Sequence, residues 1–286
     1  MIQFFLFIHR LIVPLPWSLQ RRLGGGLGRL ARYLLPRRRQ VAARNIELAF
    51  PELTPAARRR LLGEHFSELG RGVLTLGLAW HASETRLAAL GELRGADRVR
   101  EALAVGRGVL LVVGHFTTLD MTNRLLGREL TFTGLWRPLG LPALDAATLK
   151  GRRRAAAGMI AKTDLKAALA TLRGGGVLAM AVDQAATGAG AVEAPFFGID
   201  ALTTTAPARL AQRCGCPVLP VFTELGADGR FVTTIEPPLD GFPGGDTVAD
   251  AARINAVIEA HARRVPAQYY WVHRRFKSNA ADHYAG

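Results

Sequence analysis

The last two thirds of the chain alternate between short, wholly apolar runs and longer amphipathic segments. Residues 108–114 (GVLLVVG) and 176–182 (GVLAMAV) are apolar throughout. Uninterrupted runs of this length are typical of strands buried on both faces of a parallel sheet. The same pattern predicts further strands at 131–136, 217–222 and 231–235, and helices at 164–172, 203–214 and 247–264.

This alternation predicts an α/β fold with a largely parallel central sheet flanked by helices. Ligands of such sheets bind beyond the carboxyl ends of the strands. Two segments with polar, chemically capable residues, 114–120 (GHFTTLD) and 183–198 (DQAATGAGAVEAPFFG), follow directly on the two apolar runs. We therefore expect the functional site at that edge of the sheet.

The first third of the chain is mostly helical in pattern and has an apolar tip. Residues 4–13 are almost entirely apolar, Trp17 follows, and leucines recur at helical spacing among eight arginines between positions 21 and 44. An apolar face edged by tryptophan and arginine is typical of a helix that lies in the interface of an anionic bilayer. A core-packed helix with a solvated basic face is the competing interpretation.

The apolar tip does not have the pattern of a signal peptide or of a spanning helix. No basic region precedes it, polar residues and prolines interrupt it, and a span needs about 20 apolar residues. Residues 55–80 predict a long amphipathic helix with Thr54 as its N-cap. We therefore divide the chain into an N-terminal helical membrane-interface region, 1–85, and an α/β domain, 86–286.

The charge balance indicates a polyanionic partner. The chain has 37 Lys+Arg against 23 Asp+Glu, a net charge of +14 and a pI near 11.1. Nucleic acid, an anionic membrane, a phosphorylated substrate and an acidic carrier protein are all compatible with this charge. Nearly all of the cations are arginine, so the base composition of the genome is a competing explanation. No helix-turn-helix, zinc-finger or aromatic RNA-binding motif occurs, and we expect no specific nucleic-acid partner.

The two cysteines, Cys214 and Cys216, are too close in sequence for an unstrained disulfide. We interpret them as thiols in a reducing compartment. Two thiols cannot complete a zinc site, and the sequence has no metal-ligand cluster, P-loop or dinucleotide fingerprint. We expect neither a metal nor a cofactor.

His115 and Asp120 carry the candidate chemistry. His115 follows an apolar strand directly, and Asp120 lies five residues on, in the predicted first turn of a helix. A carboxylate that hydrogen-bonds one imidazole nitrogen fixes the tautomer and stabilises the imidazolium that forms when the other nitrogen takes a proton. Because no Gly-x-Ser-x-Gly elbow occurs, the nucleophile is expected to be a substrate hydroxyl rather than a protein side chain. A structural histidine and a helix-capping aspartate are the alternative.

The segment that contains His115 and Asp120 resembles a block of a known family. The GHFTTLD segment resembles the H-x4-D/E block of the glycerolipid and lipid A acyltransferases, with Asp120 where many relatives have Glu. The resemblance extends from about residue 41 to residue 278. Blocks of the late acyltransferases of lipid A biosynthesis are matched, in order and at similar spacing, by NIELAFP (45–51), WRP (136–138), DQ (183–184), PFFG (195–198) and YWVHRRFK (270–277).

The resemblance implies a membrane-associated O-acyltransferase with a glycerolipid acyltransferase-like fold. Such an enzyme is peripheral or monotopic at the cytoplasmic face of the bacterial inner membrane. It moves a fatty acyl chain from acyl carrier protein or coenzyme A to a hydroxyl of a phosphorylated lipid A precursor. By this resemblance His115 is the general base, Asp120 orients it, no covalent acyl-enzyme forms and no cofactor is needed.

Four arginines are candidates for binding substrate. Arg137 is expected to hold a phosphate or sugar oxygen of the acceptor, because its planar fork matches phosphate. A salt bridge to a nearby carboxylate is the alternative. Arg152, Arg153 and Arg154 are candidates for contacts with acceptor phosphates or with the acidic helices of a carrier protein, and a solvated charged face is the alternative.

Four further residues are expected to shape the pocket. Asp183 and Gln184 end a buried strand and are expected to form hydrogen bonds there, with catalysis less favoured. Phe196 and Phe197 are candidates for the lining of an acyl tunnel, with an ordinary core role as the alternative.

Two alternatives to a lipid A acyltransferase stay open from the sequence. The same chemistry fits another acceptor, such as a lysophospholipid, a glycolipid or an ornithine-type lipid. A non-catalytic basic protein that binds membranes or nucleic acid, in which His115 and Asp120 are structural, is the second alternative.

Overall fold

A seven-stranded sheet lies at the centre of the computed structural model, which describes residues 9–188 and 190–284. The strand order is β1-β9-β8-β2-β5-β3-β4, and every neighbouring pair is parallel except β8 with β9. The strands are β1 Gly91–Arg94, β2 Val109–Val113, β3 Thr133–Trp136, β4 Gly158–Ala161, β5 Val177–Ala181, β8 Val218–Leu225 and β9 Phe231–Ile235, with β6 Ala191–Phe196 and β7 Ile199–Thr204 in a separate hairpin.

Helices surround the sheet, and the predicted α/β architecture with a largely parallel sheet is confirmed. The described residues begin with a helical segment at 9–12; four further helices precede the first strand, and six follow or connect the others. They are α1 Trp17–Leu34, α2 Pro36–Ala49, α3 Pro55–His81, α4 Glu84–Leu90, α5 Ala96–Ala104, α6 Leu119–Leu126, α7 Pro142–Arg152, α8 Leu165–Arg173, α9 Ala206–Cys214 and α10 Thr247–Arg264.

The two apolar runs of the sequence form the adjacent central strands β2 and β5. All five residues of β2 are buried, and β5 is buried except for its last residue. Burial on both faces explains why neither strand alternates apolar and polar residues. Side chains of the two strands join the cores on both sides of the sheet.

The structure differs from the sequence prediction at the hairpin β6–β7. The predicted helix at 203–214 begins only at Ala206, because Thr203 and Thr204 belong to β7. The turn of the hairpin is Phe197-Gly198, and both residues have positive φ, 54° and 73°. A turn with two such residues matches the right-handed twist of an antiparallel pair. The short strands β1 and β4 were also not predicted, since each has only four residues of mixed burial.

Helix α1 packs closely against α3 through glycines. A Cβ on Gly28 would lie 1.9 Å from the carbonyl oxygen of Phe66, and one on Gly70 would lie 2.0 Å from that of Gly24. The two backbones can approach this closely only because these positions have no side chain. Within the described residues, no helix is both long and apolar enough to cross a membrane.

The opposite face of α1 is an exposed row of leucines, here called the α1 leucine stripe. Its members are 40% to 67% exposed, and arginines flank them on the helix and beyond its end. The predicted apolar tip falls partly on residues 4–8, which lie outside the described residues. The stripe consists of Leu19, Leu23, Leu27, Leu30 and Leu34.

Because two histidines are buried, we expect the protein to lose stability in mild acid. Burial lowers the pKa of His65 to about 4 and that of His261 to about 3, from 6.5 in the unfolded chain. As the pH falls below about 6.5, these histidines bind protons in the unfolded chain but stay neutral in the folded chain. We therefore expect the free energy of unfolding to fall by about 1.4 kcal/mol per pH unit for each histidine.

Urea unfolding of the wild type and of His65→Gln, measured at several pH values from about 6.5 down to about 5, tests this expectation. The variant should show a shallower pH dependence than the wild type, because His65 is gone while His261 and His273, whose pKa values burial also lowers, remain. An unchanged slope in His65→Gln would contradict the assignment.

Candidate active site

The register of the two central strands brings His115 and Asp183 together. Val113 of β2 pairs with Ala181 of β5, and each candidate residue follows two positions later. Because the strands are parallel, both residues leave the sheet at the same edge. The segments expected at that edge, 114–120 and 183–198, therefore both begin there.

Asp183 holds His115 by both its backbone and its side chain. The carboxylate accepts a hydrogen bond from the His115 amide at 2.9–3.0 Å, and its Oδ1 lies 2.5 Å from the imidazole Nδ1. The Asp183 side chain is buried, whereas that of His115 is 25% exposed. With Nδ1 donating to the acid, Nε2 is the nitrogen that can accept a proton.

Asp183 is ionised at neutral pH in spite of its burial. Burial raises its pKa, but the His115 side chain, its hydrogen bonds and a hydrogen bond from Tyr269 together lower it below the ordinary value. Such a carboxylate can stabilise a positive charge that develops on the imidazole. Asp183 thus combines the fixed geometry and the negative charge that an orienting acid needs.

The C-terminal segment closes over this pair. Phe116 and Tyr269 form a bridge, and the amide of Tyr270 donates to the carbonyl of His115 at 2.9 Å. Behind Tyr269, the fully buried Arg275 donates to the carbonyl of Leu202 and to the side chains of Thr203 and Asn255. The HRRFK block therefore has a structural role at Arg275.

The expected hydrogen bond between Asp120 and His115 is corrected by the structure. Asp120 lies in the first turn of α6, but its carboxylate is held by Arg152 at 2.9 and 3.1 Å and by the indole Nε1 of Trp80 at 3.1 Å. No hydrogen bond joins Asp120 to His115 in the described structure, and Asp183 takes Nδ1 of His115 instead. Asp120 still lies close enough to His115 for their charges to interact.

The Asp120–Arg152 ion pair is largely buried. Burial raises the pKa of Asp120, and Arg152 and Trp80 lower it by more, so the carboxyl stays ionised. Gly151 allows this arrangement, because a Cβ there would lie 2.3 Å from the ring of Trp80. The close approach of the end of α7 to Trp80 brings Arg152 onto the carboxylate.

The other candidate arginines fall into two groups. Arg154 donates to the carbonyls of Trp80 and Ala82, so it ties α7 to α3. Arg153 is exposed, and so is Arg137, which directly follows β3 at the same edge of the sheet. These two are therefore open to an external anion.

The remaining candidates are placed in and beside the core. Gln184 is partly buried next to Asp183. Phe196 and Phe197 are buried, with ring centroids 4.8 Å apart, and Phe196 lies 6.0 Å from the ring of Tyr269. Both phenylalanines belong to the main hydrophobic core. This placement matches the ordinary core role that was the alternative to an acyl tunnel.

Three residues of this arrangement were missed in the sequence. Trp80 and Tyr269 hold the two carboxylates, and Asn45 donates to the carbonyls of Trp271 and His273 at 2.5 and 2.6 Å. Asn45 and Tyr269 lie in or beside blocks that carry the family resemblance, which was the available signal. Among residues 9–188 and 190–284, no cluster of His, Cys, Asp or Glu suits a metal ion.

Breaking the Asp120–Arg152 pair should cost stability. Arg152→Met leaves a carboxylate that is 14% exposed without its cation, and we expect a loss of about 3 kcal/mol in the free energy of unfolding. The double variant Asp120→Leu/Arg152→Met removes both charges and should recover most of that loss. Chemical denaturation of the wild type and the variants measures this. Additive losses in the double variant would mean that the pair does not couple.

Comparison with known proteins agrees with the resemblance. The sequence model of the family described as bacterial lipid A biosynthesis acyltransferase matches residues 1–278. The chain belongs to this family. It is therefore an acyltransferase, and the family predicted from the ordered motifs is confirmed. The alternative of a non-catalytic basic protein is excluded by this membership.

Relatives in this family match along most of their length. The chain is 35% identical over 270 residues to the lipid A biosynthesis lauroyltransferase of Escherichia coli K12, covering 94% of this chain and 88% of the relative. It is 31% identical over 268 residues to the palmitoleoyltransferase of the same organism, covering 93% and 87%.

The crystal structure of the 1-acyl-sn-glycerophosphate acyltransferase of Thermotoga maritima superposes with a TM-score of 0.39 at 17% identity, covering 87% of this chain and 99% of that chain.

Proposed function

We propose that this acyltransferase moves a fatty acyl group from an acyl thioester to a hydroxyl of a lipid A precursor. His115 acts as the general base and Asp183 as its orienting acid. The observation that carries this proposal is the 2.5 Å contact between Asp183 and Nδ1 of a partly exposed histidine at the carboxyl edge of the sheet. The family membership and the names of the relatives support lipid A as the acceptor.

The reaction needs one proton relay and no covalent enzyme intermediate. Nε2 of His115 takes the proton of the acceptor hydroxyl while the oxygen attacks the thioester carbonyl. The tetrahedral intermediate collapses with cleavage of the C–S bond, and the leaving thiolate takes the proton back from the imidazolium. Asp183 stabilises the imidazolium between these two steps. The products are an ester of the acceptor and a free thiol of the carrier.

The Asp120–Arg152 pair has a positioning role in this scheme. It fixes the first turn of α6, whose start follows His115 by four residues, and joins that turn to α7 and, through Trp80, to α3. Because these helices flank the strand end, the pair holds the loop from His115 to Asp120 in one conformation. Asp120 thus positions His115 through the loop that connects them rather than through a hydrogen bond to Nδ1.

The reaction is proposed to take place at the cytoplasmic face of the inner membrane, with the chain bound to the lipid surface by α1. The α1 leucine stripe is a row of exposed apolar side chains flanked by arginines, which suits the interface of an anionic bilayer. The donor, acyl carrier protein or coenzyme A, approaches from the aqueous side. No cofactor is required by the proposed steps.

Membrane binding is tested with vesicles that contain phosphatidylglycerol. The variant Leu23→Ser/Leu27→Ser/Leu30→Ser should bind at least about tenfold more weakly than the wild type, because less apolar area enters the bilayer. Val105→Ser/Val248→Ser changes side chains that are 71% and 47% exposed elsewhere and serves as the control. Equal binding by all three proteins would contradict the role of α1.

The activity is tested with the purified protein, acyl carrier protein and coenzyme A thioesters of several chain lengths, and a lipid A precursor. Mass spectrometry should show the precursor gaining one acyl chain. Lysophospholipid and ornithine-lipid acceptors are offered in parallel reactions. Acylation of one of these in place of the lipid A precursor would show that the enzyme uses another acceptor, and would overturn the lipid A assignment.

A further inference from the structure

A strongly basic cavity lies between α2 and the C-terminal segment. It has a volume of about 820 Å³ and is lined by Arg37, Arg38 and Arg44 of α2 and by Arg274 and Lys277. Asp282 is the one carboxylate in the described lining. This concave surface, which we call the basic cavity, thus carries a clear excess of positive charge.

Most of this charge is not neutralised by the protein. Within the described parts of the chain, the ion pairs involve only one of the five cations, Arg44, which lies 2.8 Å from Glu47. Arg37, Arg274 and Lys277 are exposed, and the guanidinium of Arg274 lies over the ring of Tyr284. Several like charges facing one hollow repel each other unless an anion enters it.

Hydrogen bonds that are buried or partly buried join the walls of the basic cavity. Asn45 joins α2 to the backbone of Trp271 and His273, and its Oδ1 accepts from the Tyr284 hydroxyl at 2.5 Å. Arg38 donates to the carbonyl of Val272, and Arg44 to that of His283. Arg38 and Arg44 are therefore held at set positions, which lowers the entropy cost of binding an anion there.

The basic cavity adjoins the candidate active site. His273 lines it, and Nε2 of His273 accepts a long hydrogen bond, 3.4 Å, from the amide of Ala185, two residues after Asp183. The charges of Asp183 and His115 both act on His273. His273 thus lies between the basic cavity and the segment that follows Asp183.

The basic cavity also adjoins the proposed membrane contact. Leu34 is the last residue of both α1 and its leucine stripe, and Arg37 follows three residues later in α2. With the stripe in the apolar part of the interface, cations that follow it directly reach the depth of lipid headgroups.

From these observations we propose that the basic cavity binds a phosphate group of the glycolipid acceptor while the acceptor hydroxyl lies at His115. This inference rests on the proposed function and adds a binding site to it. Arginine forks match phosphate oxygens in two-point contacts, and the volume suits a phosphorylated sugar. An acidic carrier helix fits less well, because a helix needs a broad, flat surface and these cations line a concave one.

The test uses the double variant Arg37→Gln/Lys277→Gln and acceptor with or without its phosphates. Both side chains are exposed and make no ion pair within the described residues, so folding should be unaffected. The control Arg173→Gln/Arg213→Gln removes the same charge from exposed positions at the ends of α8 and α9. Steady-state kinetics are measured with the phosphorylated lipid A precursor and with the same precursor after phosphatase treatment.

We expect the KM for the phosphorylated precursor to rise about tenfold or more in the double variant, with little change in kcat. The control variant should match the wild type, and the dephosphorylated precursor should be used equally by all three proteins. Equal losses with both forms of the acceptor would overturn the proposal. A raised KM for acyl carrier protein with an unchanged acceptor KM would also overturn it and assign the cavity to the donor.

Binding without turnover separates this proposal from the proposed function. The protein is titrated with detergent micelles that contain the phosphorylated precursor, its dephosphorylated form or phosphatidylglycerol, and heat is recorded by calorimetry. The site predicts tighter binding of the phosphorylated precursor than of the other two, and loss of that preference in the double variant. This result stands even where no acyl transfer is detected, and equal binding of phosphatidylglycerol would refute an acceptor-specific site.

Discussion

Replacing His115 with alanine is expected to lower kcat/KM for acyl transfer by about 10²–10⁴-fold, the usual contribution of a general base. The imidazole is 25% exposed and its backbone contacts are retained, so the folded structure should persist. Steady-state transfer of a labelled acyl chain to the lipid A precursor measures the loss.

The control for this experiment is His81→Ala, which removes an imidazole that is partly buried at the end of α3. Its kcat/KM should stay close to that of the wild type. Thermal unfolding and vesicle binding are measured for both variants. A folded, membrane-bound His115→Ala protein with wild-type kinetics would remove His115 from the mechanism.

Asp183→Asn is expected to lower kcat by about 10³–10⁴-fold. The amide can present an N–H group to Nδ1 of His115, which favours the tautomer with a protonated Nε2 and so blocks proton uptake there. It also removes the negative charge that stabilises the imidazolium. The substitution preserves shape, so the loss should appear in kcat with little change in KM.

Asp120→Asn is the matched comparison, because it makes the same change at the carboxylate bound to Arg152. We expect a smaller loss of kcat, accompanied by a loss of stability from the weakened ion pair. A larger kcat effect at Asp120 than at Asp183, with stability unchanged, would return the orienting role to Asp120.

Much of the fold could be predicted from residue patterns. The apolar runs that became β2 and β5 indicated buried parallel strands, and the segments that follow them were expected at one edge of the sheet. That edge could be predicted because parallel strands all end on the same side. The hairpin turn at Phe197-Gly198 could not, since its left-handed backbone is imposed by strand pairing.

The partner of His115 could not be predicted from the sequence. Asp120 is nearer in sequence, and only the placement of β5 directly beside β2, at the register Val113 to Ala181, brings Asp183 to Nδ1. The order of strands in a sheet depends on packing across the whole domain. The hydrogen bond from Trp80 to Asp120 likewise depends on how α3 crosses α6 and α7, and no local sequence pattern predicts that crossing.

A single-turnover experiment tests the central claim most directly. Enzyme in excess is loaded with labelled acyl donor and lipid A precursor, and the formation of acylated product is followed by rapid quenching. If His115 removes the hydroxyl proton with the help of Asp183, the rate constant for this one turnover should fall about 10²–10⁴-fold in His115→Ala and by a similar factor in Asp183→Asn, with both substrates still bound. A wild-type rate constant in either variant, under conditions of full binding, would contradict the account.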